Sequence, residues 1–495
     1  MNGMPLSVVE KLQTHDAIEA ETQWQWDLLP RPVIDEYIST GAQSAAAYME
    51  RIAQTDCISG PSDALLANKW RHGRRAIAML PILDRVLYRA VVASLKSLLP
   101  DLLRSNEDFA RFKNSPLEVD GAQSVVTTDI ANFYSSIPIE LLSNLLLDRT
   151  GQVEEVRWLT GFWYRVSGRT TGVPQVNESS DAICEMYALE LERRVASRNI
   201  RTFRYADDFR LIARSEKDAV TALEVFDEEA RGLGLFVNER KTYVQSIDSY
   251  QQALKGASDP NTIIQEVRED LRDFDLYSFE PIEPEEADVQ QGAARRMLSL
   301  WKEHQRPWKT GGERLEAAKL AKKAFAVLTQ LRDDDAVSVC PAVMDSDPQN
   351  TPAVARYLRT LISDGNGDAW RELQKITAEL PLSKWQRYWL LDTLRDCPFR
   401  LDGSMLDWTL GQAGRNQAEA LRTYACWILG VNDRLTGDVW RAAVSGGLTS
   451  LGSPTMSGAI IFCHDLSYRE KAQLIPNGYF DQGMFDWASD DCPPF

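Results

Sequence analysis

Histidine is scarce in this chain: His15, His72, His304 and His464 are the only four among 495 residues, too few and too dispersed for a histidine-based metal cluster. Cysteine is little better represented. Cys57, Cys184, Cys340, Cys397, Cys426, Cys463 and Cys492 are odd in number and scattered, with no CxxC pair, which argues against a disulfide framework and against a zinc site. Reduced thiols are expected, and the adjacent Cys463 and His464 are read as incidental. No apolar run approaches the roughly eighteen residues of a membrane helix, and MNGMPLSVVEKLQTHDAIEAE lacks the basic start and apolar stretch of a signal peptide. No membrane partner is expected, and the cytoplasm is the expected location. Positive charge is in deficit too. The 55 Lys and Arg stand against 72 Asp and Glu, a net charge of -17, the wrong sign for a protein that coats nucleic acid non-specifically. Any contact with nucleic acid must therefore be local.

What is present is ordinary globular composition, 44% apolar and 26% charged, which excludes collagen-like and wholly disordered chains. The length predicts two or three domains. Residues 1–250 mix strand-like runs such as VVTTDI and FRLIA with helical periodicity, and predict an α+β domain. One stretch there is basic: Lys69, Arg71, Arg74, Arg75, Arg85 and Arg89 against the single acid Asp84. Residues 251–292 read as an acidic connection, because FEPIEPEEAD places Glu280, Glu283, Glu285, Glu286 and Asp288 among two prolines with no base. Residues 293–495 read as an all-α domain of helical repeats, with helix pairs expected to start near 351, 382 and 416. Among its tryptophans, Trp301, Trp308, Trp370, Trp385, Trp389, Trp408, Trp427 and Trp440 fit packing between helices better than stacking on bases.

The chemistry concentrates in FRYADDFRLIARS, where an apolar and aromatic frame holds Asp207 and Asp208 at an expected hairpin turn. Neighbouring carboxylates repel, so a cation is their natural partner. A third acid, Asp129, ends the strand-like VVTTDI. The three together would form an oxygen-rich cage suited to two hard Mg²⁺ ions, and so to in-line phosphoryl transfer.

With TTDIANFYSSI, TTGVPQVNESSDAI, RYADDF and GLGLFVNERKTYV in that order, preceded by RRAIAMLPILDRVLYRAV, residues 65–245 resemble the reverse transcriptases. The resemblance implies a fingers and palm fold and a nucleotidyltransferase in which Asp129, Asp207 and Asp208 are the metal ligands, with the Ile130 carbonyl as a fourth oxygen. It implies two Mg²⁺ ions, or Mn²⁺. Tyr134 falls at the position of the sugar gate, whose ring leaves no room for a 2′-hydroxyl and so favours deoxynucleoside triphosphates. Gln175 matches the glutamine beside the incoming nucleotide. Lys241 matches the lysine that meets the triphosphate or donates a proton to pyrophosphate, and Lys69 and Arg75 match the fingers cations that clamp the triphosphate.

Val176 replaces the glycine common after the motif glutamine, and no basic thumb is apparent. A palm followed by helical, HEAT-like repeats in place of a thumb resembles the abortive-infection (Abi) branch of bacterial antiphage reverse transcriptases. That resemblance implies template-independent, protein-primed synthesis with the DNA covalently attached to the protein, homo-oligomeric assembly and a role in phage exclusion. Tyr37, Tyr48, Tyr357 and Tyr388 are the candidate primers. The alternatives are a templated, retron-like RNA-directed DNA polymerase and a helical-repeat scaffold with an inactive palm.

Overall fold

The computed structural model describes residues 3–490 except 24–27, 61, 70–72, 176, 257–259, 272, 275–280, 283 and 306–310. Arg71, His72, Val176, Glu280, Glu283, Trp308 and Cys492 thus lie outside the described residues. Two compact units emerge, and the chain passes between them more than once: one holds residues 1–24, 38–62 and 80–257, the other 25–37, 63–79 and 258–495.

A four-stranded antiparallel sheet organises the first unit. Its strands are β3 (Ser124–Asp129), β4 (Arg201–Tyr205), β5 (Asp208–Ala213) and β6 (Tyr243–Ser246), in the order β4-β5-β3-β6. β3 is central and buried along its whole length, as its β-branched run SVVTTD suits. β5 alternates half-buried and buried residues, so one face is covered and the other open. The covered face lies under the helix Glu216–Gly232, where Phe226 meets Phe209 edge-on with ring centroids 4.9 Å apart. Because side chains alternate along a strand, Asp208 emerges on the opposite face from Phe209.

Beside the sheet run the helices Ile82–Leu95 and Glu178–Ser197. They meet through Tyr88, whose hydroxyl lies 2.9 Å from Ser180 Oγ and accepts from Trp163 Nε1 at 3.3 Å. Part of the basic stretch is spent here. Arg85 and Arg89 are buried and share Glu21, with Arg85 Nη1 3.1 Å from Oε1 and Arg89 Nε 2.7 Å from Oε2. A charged patch in the sequence is thus an internal ion-pair network at this end, and only its earlier residues stay on a hairpin.

That hairpin, β1 (Asp63–Asn68) with β2 (Arg74–Met79), belongs to the second unit, paired from Asp63↔Met79 to Asn68↔Arg74. The rest of that unit is mainly helical. Helix pairs begin at Thr351, Lys384 and Glu419, namely Thr351–Ser363 with Gly367–Glu379, Lys384–Asp392 with Gly403–Ala413, and Glu419–Val431 with Gly437–Val444. Trp385, Trp389 and Trp427 are fully buried, while Trp301 and Trp440 are buried with little exposure left. Trp385 and Trp389, four residues apart on one helix face, both donate to the Leu28 carbonyl, at 2.5 and 3.1 Å.

Among the described residues of the stretch that reads as an acidic connection, much is helical. Pro260–Leu271 packs against Glu286–His304, and the acids are used: Arg296 pairs with Glu266 at 3.2 Å and with Asp270 at 3.4 Å, and Arg268 pairs with Glu286. Glu286 and Asp288 open the second helix, where the dipole favours negative charge. Among the described residues no helix is long and apolar enough to cross a membrane, and Cys57, Cys184, Cys340, Cys397, Cys426 and Cys463 are free thiols.

Candidate active site

Strand register brings the first two carboxylates together. Asp129, the last residue of β3, pairs directly with Asp208, the first of β5, so their side chains share the open face with Cβ atoms about 5 Å apart. Asp207 sits in the two-residue turn between Tyr205 and Asp208. Its neighbour Ala206 has φ 57°, a left-handed conformation that costs a residue with a Cβ roughly 1–2 kcal/mol and is held by the hairpin on both sides. The Asp207 carbonyl accepts from Ile130 N–H at 3.2 Å, which ties the turn to the end of β3.

Two unit negative charges at that spacing repel by roughly 3 kcal/mol at an effective dielectric of 20. The carboxyls respond accordingly. Burial and the Asp129 charge push Asp208 up to about 6, and the same two causes raise Asp207. Lys241 relieves part of this from the loop before β6, with Nζ 3.2 Å from Asp129 Oδ2. Burial opposes its charge, but Asp129 and Asp208 outweigh that and hold it protonated.

Asn238 is a site residue that reading the motif alone missed. Its side-chain amide donates to Asp129 Oδ2 at 2.8 Å and its backbone N–H to the Asp129 carbonyl at 2.8 Å. Thr242 Oγ1 donates to the Asn238 carbonyl at 2.9 Å, so its single hydroxyl proton is used and the 2.8 Å bond to Thr128 must be donated by Thr128. The Asn-x-x-Lys-Thr element is therefore stitched to the strand that delivers Asp129. Asn238 was visible within that motif; nothing in the motif said that it would grip the carboxylate.

Tyr134 lies on the short helix Phe133–Ser136, half-buried, with its ring edge-on to Phe133 at 5.5 Å. The Gly172–Gln175 loop runs alongside this turn: Val173 N–H donates to the Tyr134 carbonyl at 3.0 Å and Gly172 N–H to Ile137 at 2.9 Å. Gly172 has φ +96°, and a Cβ there would lie 3.4 Å from the Ser135 carbonyl oxygen, so glycine fits both the conformation and the approach. Gln175 is half-buried just ahead of the helix that Asn177 caps, with Asn177 Oδ1 accepting from Ser179 N–H at 2.9 Å. The first unit thus gathers Asp129, Ile130, Tyr134, Gln175, Asp207, Asp208 and Lys241, while Lys69 and Arg75 stand on the β1–β2 hairpin of the second unit.

The donor set suits a hard divalent cation: Asp129 and Asp208 on adjoining strands and Asp207 in the turn beside them, with the proton affinity of Asp207 and Asp208 raised by burial and the Asp129 charge, next to a backbone carbonyl. Asp129 Oδ2 is turned to Lys241 and Asn238. Among the described residues, the acids whose oxygens all lie within 4.8 Å of one another are instead Asp333, Asp334 and Asp335. Those three are engaged with Gln291, Asn366 and Arg295 respectively.

Two of the candidate primer tyrosines are core residues. Tyr357 is fully buried and its hydroxyl donates to the Asp333 carbonyl at 2.8 Å, while Tyr388 is buried with its ring 5.1 Å from that of Tyr424. Tyr37 is partly buried against Trp487, and burial together with Tyr479 pushes its phenol up to about 12. Tyr48 is half-buried, with the Arg51 guanidinium 5.5 Å from its ring centroid.

Comparison with known proteins supplies a family for this geometry. Residues 67–269 match the family model described as reverse transcriptase (RNA-dependent DNA polymerase). No curated protein matches the chain. Among solved structures, the chain is similar to telomerase from Candida albicans in complex with a fragment of telomeric RNA, at 11% identity and a TM-score of 0.31, covering 70% of this chain and 66% of that one. It thus spans just under two thirds of that chain's length. The ordered motifs, the paired carboxylates and the family match fall on the same stretch, and residues 67–269 hold a reverse transcriptase domain.

Proposed function

We propose that this protein is a deoxynucleotide polymerase of the abortive-infection type, which extends DNA without a template from a hydroxyl of its own chain. The observation that carries the polymerase reading is the direct pairing of Asp129 with Asp208 and the placement of Asp207 in the adjoining turn, with Lys241 within ion-pair distance. Two Mg²⁺ or Mn²⁺ ions, when bound, supply the Lewis acidity that activates the attacking oxygen and steadies pyrophosphate. Asp129, Asp207, Asp208 and the Ile130 carbonyl would hold them. Lys241, kept protonated by its acidic neighbours, donates a proton to the leaving pyrophosphate. Tyr134 fills the space a 2′-hydroxyl would need, and Gln175 lies beside the incoming base.

The mainly helical second unit, read as HEAT-like repeats taking the place of a thumb, is consistent with the untemplated reading. A chain of net charge -17 has weak means of gripping a long duplex by its phosphates. The acceptor is then a tyrosine phenol. Tyr243 is half exposed and pairs with Thr127 on β3, so it shares the sheet face of Asp129 and is better placed than the buried Tyr357 and Tyr388. Labelled product run on a denaturing gel before and after protease tests this: it should migrate with the protein until proteolysis. Free DNA before proteolysis, or product made only with an added primer and template, would favour the retron-like alternative.

A further inference from the structure

Tyr134 is a half-buried aromatic on a single helical turn, entered through Asn132 at φ 49°, and such a short element does little to fix a ring by itself. Its phenol nevertheless has a fixed partner: Tyr134 Oη donates to Asp181 Oδ1, 47 residues along the chain. Asp181 is well anchored. It lies in the first turn of the helix Glu178–Ser197, where the dipole favours a carboxylate, and its N–H donates to the Asn177 carbonyl at 3.0 Å. With the Val173 contact at the backbone, the residue is held at both ends.

Behind this pair stands Arg104. Burial opposes its charge, but Glu185, Tyr134, Asp181 and Asp207 all lie close enough to favour it. Its Nη2 is 3.3 Å from Glu185 Oε2, yet neither Nη1 nor Nη2 makes a hydrogen bond to a described residue. Burial raises the Asp181 carboxyl above the usual carboxylate range; the Tyr134 phenol and then the Arg104 guanidinium oppose that, while Glu178 and Glu185 add to it.

We propose that Asp181 is the positioning residue of the sugar gate: by holding the Tyr134 phenol it fixes the ring against the sugar and sets the preference for deoxynucleotides over ribonucleotides. This rests on the polymerase reading above. A gate excludes a hydroxyl only while its ring stays in place. An untethered aromatic on a half-exposed turn changes rotamer rapidly and yields the space. Asp181 is not itself a catalytic residue, since it acts through Tyr134.

The test is equilibrium binding of dATP and ATP to the full-length protein in Ca²⁺, then incorporation of each in Mg²⁺, for wild type, D181A, D181N, Y134F and the D181A/Y134F pair. A lost charge-assisted hydrogen bond corresponds to about a tenfold change. D181A and Y134F should each lower the deoxy-to-ribo ratio by about that factor, chiefly by tightening ATP, and the double variant should lower it no further. D181N, whose carbonyl still accepts from the phenol, should retain most of the ratio. Equal weakening of both nucleotides in D181A and Y134F, or an unchanged ratio, would overturn the proposal while leaving the polymerase reading intact. A wild-type protein that binds neither nucleotide would overturn that reading, and this one with it.

Discussion

Asp208 carries the clearest consequence of the geometry at the scale of single residues. Its folded pKa of about 6 lies above its ordinary 3.8, so the fold binds this proton more tightly than the unfolded chain does. The stability this contributes is complete below about pH 4 and is lost as the pH rises through about 6. Asp208→Asn, neutral throughout, should therefore melt above the metal-free wild type at pH 7.5, the gap closing toward pH 4. Mg²⁺ should raise the wild-type melting temperature and leave the variant nearly unmoved. A variant less stable than wild type at pH 7.5 without metal would mean that Asp208 is not under repulsion. Asp129→Ala and Tyr134→Ala divide the chemistry further. The first should abolish incorporation with the fold intact by circular dichroism, and the second should admit ribonucleotides, read as incorporation of labelled ATP. That Asp129, Asp207, Asp208 and Lys241 stand together could be expected because each lies in a short motif with fixed spacing. The contacts of Tyr134 with Asp181 and of Arg104 with Glu185 could not, because they join distant stretches of chain.

At the scale of elements, hairpin and strand assignments followed from local pattern: RYADDF reads as a turn between two strands, and VVTTDI as a buried strand, because β-branched alternation is a local signal. Helix pairs starting at Thr351, Lys384 and Glu419 likewise fall close to the starts expected at 351, 382 and 416. What sequence could not separate was a basic surface from a basic interior, since composition does not say which charges face one another. Glu21, on the helix Thr14–Gln23, decides that case by burying between Arg85 and Arg89. Removing it strands two buried guanidinium groups, so Glu21→Ala should cost about 3–5 kcal/mol, read from the denaturant midpoint. A cost under about 1 kcal/mol would show the pair to be solvated after all. Within the stretch expected to be an acidic connection, acids that look unpairable in a row find bases by helical spacing, Glu266 and Asp270 on Arg296 and Glu286 on Arg268.

The whole molecule divides less simply than a boundary near residue 250 suggests, because residues 25–37 and 63–79 join the second unit. Long-range pairing of this kind leaves no local trace: Trp385 and Trp389 find the Leu28 carbonyl more than 350 residues away. Helical repeats expose extended surfaces to protein partners, and the full chain is expected to self-associate. A monomer by light scattering at micromolar concentration would contradict that expectation. The central claim, that residues 67–269 carry a working polymerase site built on Asp129, Asp207 and Asp208, is tested most directly by incorporation itself. Purified wild-type protein and Asp207→Ala would each be incubated with labelled deoxynucleotides and Mg²⁺, with and without primer and template. The account predicts incorporation by the wild type without either nucleic acid and none by the variant; no incorporation by the wild type under any condition, or equal incorporation by both proteins, would contradict it.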